Sequence, residues 1–122
     1  MDSDDGIAVD RYLFFATTQR NVTAMDDGIV MATGYLNKHA DMTVLMDRAM
    51  AYRKLGLPGL ALEDFARVGR TERDARAMVF AAYSAFALGN RPRAARYLHE
   101  ALRFWPGFRP ALHALGRLHK KC

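Results

Sequence analysis

Apolar residues recur three and four apart along almost the whole chain, the spacing of an amphipathic helix. No stretch alternates with the period of two that a half-buried strand needs. Gly and Pro interrupt the pattern in short steps, so it predicts seven short helices and no strands. The first runs from about Ile7 to Gln19, where "RNVT" interrupts it. The second runs from Ala24 or Asp26 to Lys38, with Asp26 and Asp27 near its positive end and Gly28 and Gly34 weakening it. The third spans Met42 to Leu55 and stops near Gly56. Pro58 opens the fourth, which ends at Val68 with Gly69 as its stop. Thr71 is the expected cap of the fifth, with Asp74 completing a short capping box, and that helix ends near Leu88. Pro92 opens the sixth, Pro106 forbids its continuation past Trp105, and the seventh runs from about Pro110 to His119.

The pattern then repeats on a longer scale. Gly56 and Gly89 are 33 residues apart, as are Ala61 and Ala94, Phe65 and Leu98, and Val68 and Ala101. Ala82 and Gly116 follow at 34, as do Met78 and Leu112. In each copy a helix ends at glycine, a short turn follows, and a second helix carries small and then large apolar residues on one face. A helix pair cannot bury both of its faces alone, so pairs stacked at such a period build a continuous core. A plain helical bundle also repeats its apolar positions. It does not require glycine, alanine and large apolar positions to agree at one period.

These positions resemble the tetratricopeptide-repeat family. Ala49, Tyr52, Gly56, Ala61, Phe65 and Val68 match its motif once, and Ala82, Gly89, Ala94, Leu98, Ala101 and Pro106 match it again. Leu112, Leu115 and Gly116 begin a third copy. Ala85 stands where the motif has tyrosine, and Val68 replaces a small residue. The resemblance implies an all-α, α-solenoid fold of about three helical hairpins plus a C-terminal capping helix. It implies one domain over 1–122: a degenerate hairpin at 7–41, repeats at 42–74 and 75–108, and a truncated repeat at 109–122.

In that family the first helix of each pair lines a concave groove. Carried onto this chain, the groove-facing residues are Thr43, Met46, Met50, Arg53 and Lys54, then Arg76, Val79, Tyr83 and Phe86, then His113, Arg117 and Lys120, with Tyr12 and Ala16 extending the surface. The alternative for Val79 and Phe86 is packing between repeats. A Met- and aromatic-rich surface with a basic rim suits an amphipathic helix or an extended apolar segment. Some family members grip a terminal carboxylate with Lys, Asn and Arg. The corresponding places here hold Met46, Met50, Phe80, Pro110 and Ala114, which make no such clamp.

The size and layout also resemble small bacterial chaperones of type III secretion systems. That resemblance implies a cytoplasmic protein holding a helical or aggregation-prone secretion component before export, as a hetero-oligomer or homodimer. A general scaffold or adaptor, and a basic nucleic-acid-binding repeat protein, are the alternatives.

Composition narrows the field further. Of 122 residues, 51% are hydrophobic and 25% charged, as expected of a folded domain rather than a disordered chain. The acidic start lacks the basic leader of a secretory signal, and no apolar run is long enough to span a bilayer. Net charge is +5, with acids in excess before residue 42 and bases in excess after it. Arg93, Arg96 and Arg103 could form a stripe beside Trp105 and Phe108 for stacking a base. The simpler reading is a solvated helix face with Trp105 closing the core. His39, His99, His113 and His119 have no zinc-ligand spacing, and Cys122 has no partner that implies catalysis. The chain therefore reads as non-enzymatic, with no cofactor and no metal.

Overall fold

The computed structural model describes residues 6–120. Among them are seven helices and no strand: α1 (Gly6–Thr18), α2 (Val22–Leu36), α3 (Met42–Lys54), α4 (Pro58–Glu72), α5 (Ala75–Ala87), α6 (Arg91–Phe104) and α7 (Arg109–Lys120). They form two compact units, residues 1–57 and 58–122.

In the first unit α1 packs against both α2 and α3. Val9, Leu13 and Ala16 of α1 meet Met25, Ala32 and Tyr35 of α2 and Val44 and Ala51 of α3 in one core. Thr17 enters this apolar region at little cost, because its hydroxyl donates to the Leu13 carbonyl at 2.7 Å. Arg48 of α3 reaches Thr33 Oγ1 of α2 at 3.1 Å and ties those helices at the edge.

In the second unit α5 is the central helix, packed on α4 and α6, and α7 closes on α6. Alanines at 77, 81, 82 and 85 are wholly buried and allow neighbours to approach the α5 backbone. Phe65 of α4 fills the remaining space by stacking on Phe80 of α5, with ring centroids 5.1 Å apart.

The 33-residue period is physically visible in the turns. After α3 the amide of Leu57 donates to the Tyr52 carbonyl and that of Gly56 to Arg53; after α5, Asn90 donates to Ala85 and Gly89 to Phe86. The glycines have φ of 76° and 77°, the left-handed conformation that this helix stop requires. Arg20 and Arg73 adopt the same conformation after α1 and α4, at 54° and 51°, where a side chain makes it costlier. Asp41 and Asp74, also 33 apart, cap α3 and α5 with their carboxylates.

Five local expectations are corrected. Gly69 does not end α4, which runs to Glu72. Its missing side chain instead admits Met78 of α5, whose sulfur occupies the place a Cβ would take. Thr71 therefore lies inside α4, and Asp74 is the cap of α5. "RNVT" is no long interruption: Asn21 caps α2 by accepting from the Ala24 amide at 3.0 Å, and the helix starts at Val22. Asp26 and Asp27 accordingly fall beyond its first turn. Trp105 does not close the core; it is 54% exposed and stacks on the buried Phe108 at 4.5 Å.

Candidate functional site

The second unit carries a cleft of about 320 Å³ between α5 and α7, with the start of α6 at its edge. Tyr83 and Phe86 reach it from one face of α5, three residues apart, and His113 and Arg117 from one face of α7, four apart. Ala114 and Leu118 complete the apolar wall. Arg91, the first residue of α6, donates from Nη2 to the Leu118 carbonyl at 2.7 Å. That carbonyl lies in the last turn of α7, where helical carbonyls lack partners of their own. The site thus offers aromatic and aliphatic walls, an exposed Tyr83 ring, and cationic or basic groups at the rim.

Four of the residues expected from the sequence, Tyr83, Phe86, His113 and Arg117, therefore line one cleft. Arg91 and Leu118 were not assigned to it, and Ala114 was placed in the groove only as a clamp position that lacks a cation. Helix spacing from Arg117 and His113 could have signalled Ala114 and Leu118. Arg91 reaches the cleft only through the turn between α5 and α6. Val79 is 4% exposed and belongs to the core, the outcome its position left open. Arg76 is apart from the cleft: it lies 3.8 Å from Asp74 and lines a separate hollow with Glu72, Arg73, Phe104 and Trp105.

In the first unit Met46 and Met50 are half-buried, four residues apart on α3, and Arg53 is exposed beyond them. Arg53 and Lys54 line a hollow of about 380 Å³ with Arg20, Val22 and Met25. Thr43 is exposed. Tyr12 is half-buried, closing with Leu13 on Gly28. Ala16 is fully buried and extends no surface. Cys122 and the acidic residues before Gly6 lie outside the described residues, as does the Lys120 side chain.

The first unit also holds an unusual carboxyl pair. Asp47 of α3 is pushed up to about 8, first by burial, then by the hydrogen bond and charge of Asp10 on α1, and last by the charge of Asp41. Its Oδ2 is buried without a hydrogen-bond partner. Asp41 is itself engaged, capping α3 and accepting from the Tyr35 hydroxyl at 3.1 Å.

One arginine of the basic stripe, Arg93, is engaged, as is the nearby Arg70. Arg70 binds Glu100 through two bonds of 2.9 and 3.0 Å, which raises its already high pKa. Arg93 donates to the Tyr97 hydroxyl at 2.8 Å and lies 3.4 Å from Glu63. The Tyr97 ring faces both guanidinium groups, at 5.5 and 5.6 Å. Arg96 and Arg103 are exposed. No group of three or more metal-ligating side chains occurs among the described residues, and no helix there is long and apolar enough to cross a membrane.

No family model matches the sequence, and no curated protein does. Solved structures do match its fold. The first tetratricopeptide-repeat domain of Spaghetti (RPAP3), bound to the HSP90 peptide SRMEEVD, superimposes with a TM-score of 0.78 at 19% identity, covering 98% of this chain and 94% of that one. The second such domain of human RPAP3, in complex with the HSP70 peptide SGPTIEEVD, gives 0.73 at 19% identity, over 93% and 98%. PcrH from Pseudomonas aeruginosa gives 0.69 at 16% identity, over 95% and 92%. The chain has the all-α fold of tetratricopeptide-repeat domains.

Proposed function

We propose that this chain is a non-enzymatic protein-binding chaperone. It holds a helical or aggregation-prone segment of a partner, a type III secretion component before export, against the apolar cleft of the second unit. The observation that carries the binding role is the convergence of Tyr83 and Phe86 with His113 and Arg117 on one open cleft. Aromatic rings that stand half out of a rigid helix are the usual anchors of a protein interface, and a neighbouring arginine pairs with a partner's carboxylate. Peptide complexes of proteins sharing the fold support a peptide as occupant. The secretion role rests on the resemblance in size and layout. The cleft differs from a polar carboxylate clamp because aromatic and aliphatic side chains form its walls, and one of its two arginines, Arg91, is already engaged by the Leu118 carbonyl. The preferred peptide therefore presents an apolar side chain, with an acidic residue beside it rather than a terminal carboxylate.

The test is fluorescence anisotropy with an amphipathic peptide bearing Leu and Phe on one face and Glu one turn away. Tyr83→Ala and Phe86→Ala are expected to weaken binding about 10- to 100-fold while far-UV circular dichroism stays unchanged. Amidation of the peptide's C-terminus is expected to leave affinity unchanged. Binding that survives both substitutions refutes the cleft as the site. Capture of a secreted protein at fixed ratio from the source cell, lost in the same variants, supports the export role. Capture only of unrelated proteins refutes that role and leaves the scaffold reading.

A further inference from the structure

The hollow of about 380 Å³ in the first unit is charged in a way that its surroundings are not. Arg20, Arg53 and Lys54 line it, Val22 and Met25 form the apolar part of its wall, and none of the five is acidic. Arg11, Arg20, Lys38, Arg48, Arg53 and Lys54 are all the Lys and Arg of residues 1–57, so half of them gather at this one place. All three are exposed, and solutes can reach them. Cations brought together repel, and a multiply charged anion turns that repulsion into attraction.

Arg53 and Lys54 stand in the last turn of α3, where cations ordinarily serve the helix end. Here the carbonyls of Ala51, Tyr52 and Arg53 already accept from the amides of Leu55, Leu57 and Gly56. Arg20 is the sharper case. The stop after α1 closes as those after α3 and α5 do, with Asn21 donating to the Ala16 carbonyl and Arg20 to that of Thr17. Glycine takes the left-handed position in the other two, whereas Arg20 holds it with a φ of 54°, which strains any residue with a Cβ. Arg73 shares the conformation, and its guanidinium packs over the Phe104 ring at 4.8 Å. The Arg20 side chain makes no hydrogen bond, ion pair or ring contact among the described residues; it lines the hollow. Backbone strain that no packing offsets collects at binding sites.

We infer that this hollow binds a small organic phosphate, with Arg20, Arg53 and Lys54 on the phosphate oxygens and the organic group against Val22 and Met25. Three cations match the roughly two to three negative charges of a phosphomonoester or diphosphate, whereas one carboxylate leaves most of that charge unanswered. Guanidinium forks take phosphate oxygens in pairs, and the lysine adds a point charge. A space of about 380 Å³ lies within the range of small-molecule sites, toward its lower end. The hollow and the peptide cleft share no residue, so failure of this inference leaves the peptide-binding proposal untouched.

Isothermal titration of the full chain with ADP and with ribose 5-phosphate, at about 50 mM salt, tests it. At least one of the two is expected to bind with a dissociation constant below about 1 mM. Citrate, a carboxylate of similar charge, is expected to bind at least about 10-fold more weakly. Arg20→Gly and Lys54→Gln are each expected to weaken the phosphate about 10-fold with unchanged circular dichroism, since both sites are exposed. Arg20→Gly is expected to do so without lowering the urea midpoint, a split that a merely structural arginine does not give. Amide shifts on titration are expected at residues 20–25 and 53–55. No binding of either phosphate up to about 5 mM overturns the inference. So does equal affinity for citrate, tighter binding of a Glu-rich peptide at the same residues, full affinity in Arg20→Gly, or shifts confined to Arg93 and Arg96.

Discussion

The two units solve one packing problem with unequal consistency. In the second, small residues on α5 receive large ones from α4, and Tyr83 and Phe86 share one cleft. In the first, α1 is apolar on both faces and a carboxyl pair lies between α1 and α3; the helix stops do not separate the units, since each has one glycine and one arginine in the left-handed conformation. Regular repeats are therefore strongest where every local choice agrees with the stacking. Departures collect where the chain must do something else, such as meet another surface or hold a proton.

The largest expected effect tests the regular side of that contrast. Phe65 is fully buried and stacked on Phe80. Phe65→Ala is expected to cost about 4 kcal/mol, read as a lower urea midpoint of the fluorescence of Trp105, the single tryptophan. A cost under about 1 kcal/mol would mean that the stack is not central to the unit.

Next comes the proton in the irregular unit. Asp47 binds a proton up to about pH 8 when folded and only up to about pH 3.8 as an ordinary carboxyl. Between those values the folded state holds more protons than the unfolded one, so its stability falls as pH rises through that window. Asp47→Asn removes the titration and keeps the shape. Thermal melts of wild type and variant from pH 4 to pH 9 are expected to diverge, the variant gaining steadily toward the alkaline end. Parallel melts would show that the pair carries no shared proton.

The smallest effects compare the helix stops. Gly89 has open space around its α-carbon, so Gly89→Ala is charged only for its conformation, about 1 kcal/mol. Arg20→Gly relieves the same conformation but loosens the unfolded chain, for a net gain of a few tenths of a kcal/mol. Chemical denaturation of both variants separates the signs, and a loss at Arg20→Gly would assign that side chain a stabilising contact.

Much of this was legible beforehand for physical reasons. Gly56 and Gly89 mark their stops because little else tolerates that backbone, and periodic alanines and aromatics mark α4 to α6. Gly69 misled because a glycine after apolar residues reads as a stop, whereas here it makes room for Met78, a contact 9 residues away in sequence. Asp74 was read as the partner of a cap rather than the cap itself, since Thr71 offers the same chemistry three residues earlier. On the α5 face, Tyr83 and Phe86 line the cleft, but Val79 turned inward. A small error in helix phase decides such cases. Arg91 escaped notice because its role is to reach a carbonyl 27 residues away.

That last bond gives the cleft a mechanical property. Arg91 supplies from outside the donor that the final turn of α7 lacks, so the turn is fastened by a side chain with a second use available to it. A carboxylate entering the cleft can draw Arg91 away and leave the Leu118 carbonyl to water. Filling the site and fraying the end of the helix then become one event, and amide exchange in the last turn of α7 should quicken as the cleft fills.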